Sequence, residues 1–270
     1  DLRISTLPTT YGEKVVIRIL DKSNFVLSKD KLGLRDDEMI RFNRLIKRPC
    51  GIILVTGPTG SGKTSTLYAM LSDLNSTDKN IITLEDPVEY DLEGVNQVQL
   101  NVKSGLTFAT GLRAFLRQDP DIIMIGEMRD NETAEIAVRS ALTGHLVLST
   151  LHTNDAPSTV TRIIDMGIEP FLISSSLIGV IAQRLVRKIC TFCRNKYQPD
   201  EREARLLGIE SDVCPAVYRG SGCQLCGGSG YKGRTAVFEI MEMDKPLRAV
   251  IDRGGSTDEL RDEAIRNGMV

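Results

Sequence analysis

Apolar positions change their period along this chain, and the changes mark its elements. Residues 1–20 alternate around "EKVVIRIL" and predict strands. Residues 35–47, "RDDEMIRFNRLIK", repeat at helical spacing, and Pro49 stops the helix they predict. Short continuous apolar runs then take turns with amphipathic ones. "GIILVT" (51–56) predicts a strand, and residues 62–74 a helix. "NIITLED" (80–86) predicts a strand, and "TFATGLRAFLRQ" (107–118) a helix. "DIIMIGE" (121–127) is the next strand, and "NETAEIAVRSAL" (131–142) a helix with Asn131 as its N-cap. "HLVLSTLH" (145–152) is a further strand, with helices following to residue 188. Strands apolar on both faces and alternating with helices predict an α/β fold with a parallel sheet covered on both sides. There is no repeat at periods of 20 to 50 residues.

The longest apolar stretch, "FLISSSLIGVIAQRLV" (171–186), contains three serines and an arginine. It is too short to span a bilayer and predicts a buried helix. After Lys188 the texture changes: residues 190–233 are rich in Cys, Gly and short polar runs. "RTAVFEI" (234–240) predicts a strand and "DELRDEAIRNGM" (258–269) a helix. The expected organisation is the end of a preceding domain and a linker (1–28), an α/β core (29–188), a cysteine-rich subdomain (189–233) and a C-terminal helical subdomain (234–270). The chain opens at Asp1 without a signal-peptide pattern and reads as a fragment of a longer protein.

Composition adds limits. Apolar residues make up 41% of the 270 and charged residues 26%, as in folded domains. Trp is absent, so the core is expected to be mostly aliphatic. A net charge of −2 supplies no global basic field for nucleic acid.

The chemistry starts at "GPTGSGKT" (57–64), which fits G-x-x-x-x-G-K-[ST] between a predicted strand and a predicted helix. Gly57, Gly60 and Gly62 let the backbone bend around an anion, with Pro58, Thr59 and Ser61 between them. Backbone N–H groups and the helix start favour negative charge there, with Ser65 in the first turn. Lys63 supplies a charge for the β- and γ-phosphates of ATP, and Thr64 a hydroxyl for Mg²⁺. A loop that binds nucleotide without hydrolysing it is the competing reading.

Hydrolysis needs a carboxylate near the metal, at the C-terminal end of a parallel strand. Glu127 ends "DIIMIGE", while Glu85, Asp86 and Glu89 follow "IITL". A turn before a helix is the alternative reading of Asp86 and Glu89. Asp119 and Asp121 precede their strand and belong at the opposite edge. Metal-binding strands usually end in Asp-Glu, whereas Gly126 precedes Glu127 here; the metal is then expected on Thr64, phosphates and water, with Glu127 close by. His145 and His152 flank one strand, about 23 Å apart at ~3.3 Å per residue. His152, at the C-terminal end, is the candidate phosphate sensor. His145 is expected to make a structural or interface contact.

Cys190-x-x-Cys193 and Cys223-x-x-Cys226 form two knuckles whose thiolates can converge on Zn²⁺. Two disulfides are the alternative, disfavoured for a phosphate-loop enzyme in a reducing compartment. Cys50 and Cys214 are left as spare thiols, Cys50 by default in buried packing.

These boxes together resemble the secretion ATPases of type II secretion and type IV pilus assembly. Four occur in order: "GPTGSGKT", "LEDPVEY", "DIIMIGEMRD" and "TGHLVLSTLHTND"; "RISTLPTTYGEKVVIRIL" resembles the end of the family's preceding domain. The resemblance implies a RecA-like core working as a hexameric ATPase in the cytoplasm, held peripherally at the inner membrane through platform or assembly proteins, with an acidic phospholipid surface as a further candidate partner. It implies that Glu85 helps to activate water, that Glu127 is the metal-strand glutamate and that His152 faces phosphate. It also implies that Arg3 and Arg18 reach the phosphates on domain closure, and that Arg113, Arg117 and Arg129 lie near nucleotide or subunit contacts. The two knuckles match the assembly and secretion branch rather than retraction. Pilus retraction or conjugation is the alternative within the family, and nucleic-acid translocation the alternative outside it.

Overall fold

The computed structural model describes residues 2–19, 28–208 and 217–270. Cys214 and the side chains of Arg3 and Arg18 fall outside the described residues. The first two strands, β1 (Leu2–Thr9) and β2 (Gly12–Ile19), pair antiparallel with Arg3 in register with Arg18. Ile4, Val16 and Ile17 on this hairpin are exposed, so the ribbon holds no core of its own.

After α1 (Asp36–Ile46) come β3 (Gly51–Thr56), α2 (Lys63–Leu74), β4 (Ile81–Glu85), β5 (Asn96–Gln99), α3 (Phe108–Phe115), β6 (Ile122–Ile125), α4 (Asn131–Leu142) and β7 (Leu146–Leu151). Next are α5 (Ala156–Asp165), α6 (Pro170–Ser176), β8 (Leu177–Ile189), β9 (Arg194–Tyr197), α7 (Glu201–Leu206), β10 (Val217–Gly220), β11 (Tyr231–Glu242), α8 (Lys245–Asp252) and α9 (Thr257–Arg266). The main sheet runs β11-β8-β3-β7-β6-β4-β5, and β8 to β5 pair parallel. Strands β3, β4, β6 and β7 are buried along their whole lengths, as their unbroken apolar runs require. Parallel pairing brings their C-terminal ends to one edge.

Residues 171–186 are not one buried helix. α6 stops at Ser176, and the rest of the run is the first part of β8, inserted beside β3. Ser175 Oγ and Ser176 Oγ donate back to the carbonyls of Phe171 and Leu172, which competes with continued helix at this point. Downstream, Gly179 lies against α1, where a Cβ would stand 2.5 Å from Leu45 Cδ2. The cap of α4 also differs. Asp130, with extended backbone, accepts from Thr133 N at 2.8 Å, whereas Asn131 is already helical and donates to Met166 O.

The chain forms two compact units, Asp1–Gln183 with Phe238–Val270, and Arg184–Val237. In the first, α8 and α9 contribute Leu247, Ile251 and Leu260 to the buried cluster that contains Leu54, Ile123 and Val147. In the second, β9 and β10 pair antiparallel, with the Arg219 guanidinium 4.7 Å from the Tyr197 ring and Arg194 5.3 Å from Tyr218. Among the described residues no helix is long and apolar enough to cross a membrane.

Candidate functional site

The turn after β3 makes the site. Gly57, Gly60 and Gly62 have φ of 144°, 79° and 91°, which L side chains adopt only with strain, and Gly62 starts α2. A Cβ on Gly57 would lie 2.3 Å from the Gln183 carbonyl, so only glycine lets this loop close onto β8. Pro58, Thr59, Gly60 and Thr64 are exposed, Gly62 and Ser65 half-buried, and Ser61 buried with a hydroxyl that has no partner among the described residues. An open glycine arc at a helix start, with a buried lysine behind it, fits a phosphate chain.

Lys63 folds back on this arc. Its ammonium donates to Gly57 O at 2.8 Å and Pro58 O at 3.3 Å, and lies 3.3 Å from His152 Nδ1. Burial holds its pKa below the usual lysine value, opposed by the charge of Glu127. The His152 Nε2 is 3.2 Å from Glu127 Oε1, and Arg129 Nε donates to Glu127 Oε2 at 2.8 Å. With the Lys63 ammonium as donor, Nδ1 is the acceptor of the His152 ring, and Nε2 is the nitrogen that faces Glu127. The structure thus brings Lys63, His152, Glu127 and Arg129 into one chain of contacts at the ends of β3, β7 and β6.

Glu85 lies elsewhere at that edge. It is 3% exposed, accepts from Tyr68 Oη at 2.5 Å and Thr83 Oγ1 at 2.7 Å, and Gln97 Nε2 is 3.1 Å from it. Burial and this carboxylate raise the Tyr68 pKa, so the phenol keeps its proton and donates. Tyr68 Oη accepts in turn from Glu89 N, which ties the acidic box to α2. Asp86 is exposed. Arg113 pairs with Glu132 at 2.7 Å, and Arg117 donates to the Arg113 carbonyl; neither contact reaches Lys63. His145 Nδ1 is 2.9 Å from Ser140 O, a local structural contact, and Asp121 Oδ2 accepts from Asn80 N at the far edge of the sheet.

The four knuckle cysteines gather in the second unit. All their sulfurs lie within 4.8 Å of one another; Cys190–Cys223 and Cys193–Cys226 are 3.9 Å apart and Cys223–Cys226 3.7 Å. Zn–S bonds of about 2.3 Å in a tetrahedron separate sulfurs by roughly 3.8 Å, so the cluster fits that ion. These separations are not those of disulfides. The Cys223 amide, donating to Cys226 Sγ, holds the Cys226 thiol down to about 6 against burial, with the Gly230 amide adding to it. Cys50 is a half-buried free thiol rather than a buried one.

The model of the type II/IV secretion system protein family matches residues 1–269. The chain belongs to this family. It is 52% identical over 268 residues to type II secretion system protein E of Pseudomonas aeruginosa, covering 99% of this chain and 53% of that protein. It is 52% identical over 271 residues to the type IV pilus assembly ATPase PilB of Thermus thermophilus, covering 100% of this chain and 30% of that one. The chain therefore spans about half or less of the length of these relatives. Among solved structures, the pilus retraction motor PilT with bound ADP superposes with a TM-score of 0.66 at 30% identity, over 100% of this chain and 71% of PilT. The fold is the α/β, RecA-like one that the family resemblance implied. Two residues of the loop's surroundings escaped the sequence reading, Tyr68 and Gln183. The only signal for Gln183 was an amide inside the apolar run "GVIAQRLV".

Proposed function

We propose that this chain is the ATP-binding and ATP-hydrolysing part of a motor for type II secretion or type IV pilus assembly. The carrying observation is the phosphate loop whose Lys63 meets His152 and, through it, Glu127. Names of the relatives, secretion protein E and pilus assembly ATPase, supply the process, and the ADP of PilT supports the ligand.

In this reading residues 57–65 hold the phosphates, and Lys63 leaves the Gly57 and Pro58 carbonyls to meet them. Mg²⁺, taken by the Thr64 hydroxyl, would neutralise charge between the β- and γ-phosphates. His152 faces the γ-phosphate, and Glu127 orients it and the attacking water. Glu85 keeps the water-activating role that its family match implies only by exchanging one of Tyr68, Thr83 or Gln97. Arg3 and Arg18 add charge on closure of the preceding domain, coupling hydrolysis to motion. The cysteines hold a structural Zn²⁺, because four thiolates leave no open position. The working form is a homo-hexamer in the cytoplasm. It acts on the cytoplasmic parts of inner-membrane platform proteins, with acidic phospholipid near and no nucleic acid. Retraction is the weaker reading, since identity falls from 52% for PilB to 30% for PilT.

Phosphate release by the full chain tests this. Lys63→Ala should abolish nucleotide binding, while Glu127→Gln should bind ATP and turn over at least ~10²-fold more slowly. DNA should leave the rate unchanged, and vesicles of anionic phospholipid should raise it. Equal release by wild type and Lys63→Ala would end the reading.

A further inference from the structure

Gln183 is a polar side chain where the fold leaves little reason for one. It is 3% exposed and follows the residues of β8 that pair with β3, Ile181 with Val55 and Ala182 with Thr56. It is therefore level with Gly57, the first residue of the phosphate loop. Its amide makes two directed contacts: Nε2 donates to the Ser61 carbonyl at 2.9 Å, and Oε1 accepts from Thr66 Oγ1 at 2.6 Å. Turning the amide over would set oxygen against the Ser61 carbonyl, so these partners fix its orientation. Its own backbone carbonyl is the atom a Cβ on Gly57 would strike.

We propose that Gln183 is a positioning residue for nucleotide phosphate: it clamps the loop to the first turn of α2 in the anion-binding shape. The reason lies in the peptide unit. In a trans peptide the C=O and the following N–H point in opposite directions. Holding the Ser61 carbonyl toward β8 therefore turns the Gly62 N–H the other way, away from β8, as a donor for an anion. Thr66, fully buried, is tied to the same amide, and Thr66 N donates to the Gly62 carbonyl at 3.1 Å. Gln183 thus ties the peptide before Gly62 to the residue whose amide holds the peptide after it. Ser61, Thr66 and Gln183 are all buried, so losing the amide leaves a buried carbonyl and hydroxyl without these partners.

This inference rests on the nucleotide reading, and the test separates the two. Mg-ADP is titrated calorimetrically into the full chain as wild type, Gln183→Met, Gln183→Glu and Thr66→Val. Gln183→Met keeps the volume and removes both hydrogen bonds; its Kd should rise about tenfold. Thr66→Val loses only the helix-side bond and should rise less. Gln183→Glu sets a carboxylate against the Ser61 carbonyl, so binding should be weakest near pH ~8 and recover toward wild type near pH ~6. There the buried carboxyl regains a proton to donate. Recovery also shows that the variant is folded, and a packing role would not produce it. If wild type binds no ADP, the nucleotide reading falls and takes this inference with it. If wild type and Gln183→Met bind ADP equally, or Gln183→Glu shows no pH dependence relative to wild type, this inference alone falls.

Discussion

Lys63 has three protons to donate and three acceptors around it, the carbonyls of Gly57 and Pro58 and the ring nitrogen of His152. These three acceptors satisfy its charge, so the proposed nucleotide binding would be an exchange of partners at a buried ammonium. This arrangement was partly legible in sequence. The glycine spacing marked the loop and the lysine, and strand ends marked Glu127 and His152. The split between Glu127 and Glu85 was not legible, because it depends on which neighbours fill the second carboxylate: Tyr68 from α2 and Gln97 from β5 are distant in sequence. A separate residue-scale prediction concerns Asp155. It caps α5 through Ser158 N at 2.8 Å and pairs with Arg261 at 2.9 Å. Burial opposes its ionisation, but the Ser158 side chain and amide and the Arg261 guanidinium outweigh that and lower its pKa. Its stabilisation is then fully present above the unfolded value of about 3.9 and is lost as pH falls through the lower folded value. Asp155→Ala should cost about 1 kcal/mol in denaturant unfolding at neutral pH. The difference from wild type should shrink below pH ~4.

Short runs bounded by turn residues were readable to within a residue or two: β3 stops at the glycine loop and α2 starts just after it, as their flanks predict. The misreading at 171–186 has a physical cause. A run buried on both faces shows no period that separates strand from helix. β5, "NQVQ", escaped because it is short, polar and at the sheet edge. The strand form of 177–189 has a consequence for α1. Leu45 occupies the space above Gly179, and a Cβ there would come within 2.5 Å of it. Gly179→Ala should therefore destabilise by about 1–3 kcal/mol, read as a lower urea midpoint. Adding Leu45→Ala should recover part of that loss relative to the sum of the single variants. Simple additivity would show that the contact does not govern α1.

At the scale of the whole molecule, the two units depend on different things. The large one has a continuous aliphatic core under its sheet. The small one has mostly exposed residues among those described, with cation–π pairs and the four sulfurs. Small bodies with little core depend on a metal or disulfides. One zinc per chain is expected by metal analysis. Cys226→Ser should remove it and expose residues 184–237 to protease, while ADP binding by the other unit persists. Full protection of those residues without zinc would contradict that division. The most direct test of the central claim is a crystal structure of the full chain with Mg²⁺ and a non-hydrolysable ATP analogue. The triphosphate should lie along residues 57–65, with Lys63 released from the Gly57 carbonyl and the γ-phosphate beside His152. A triphosphate bound elsewhere, with Lys63 still on Gly57, would contradict the account.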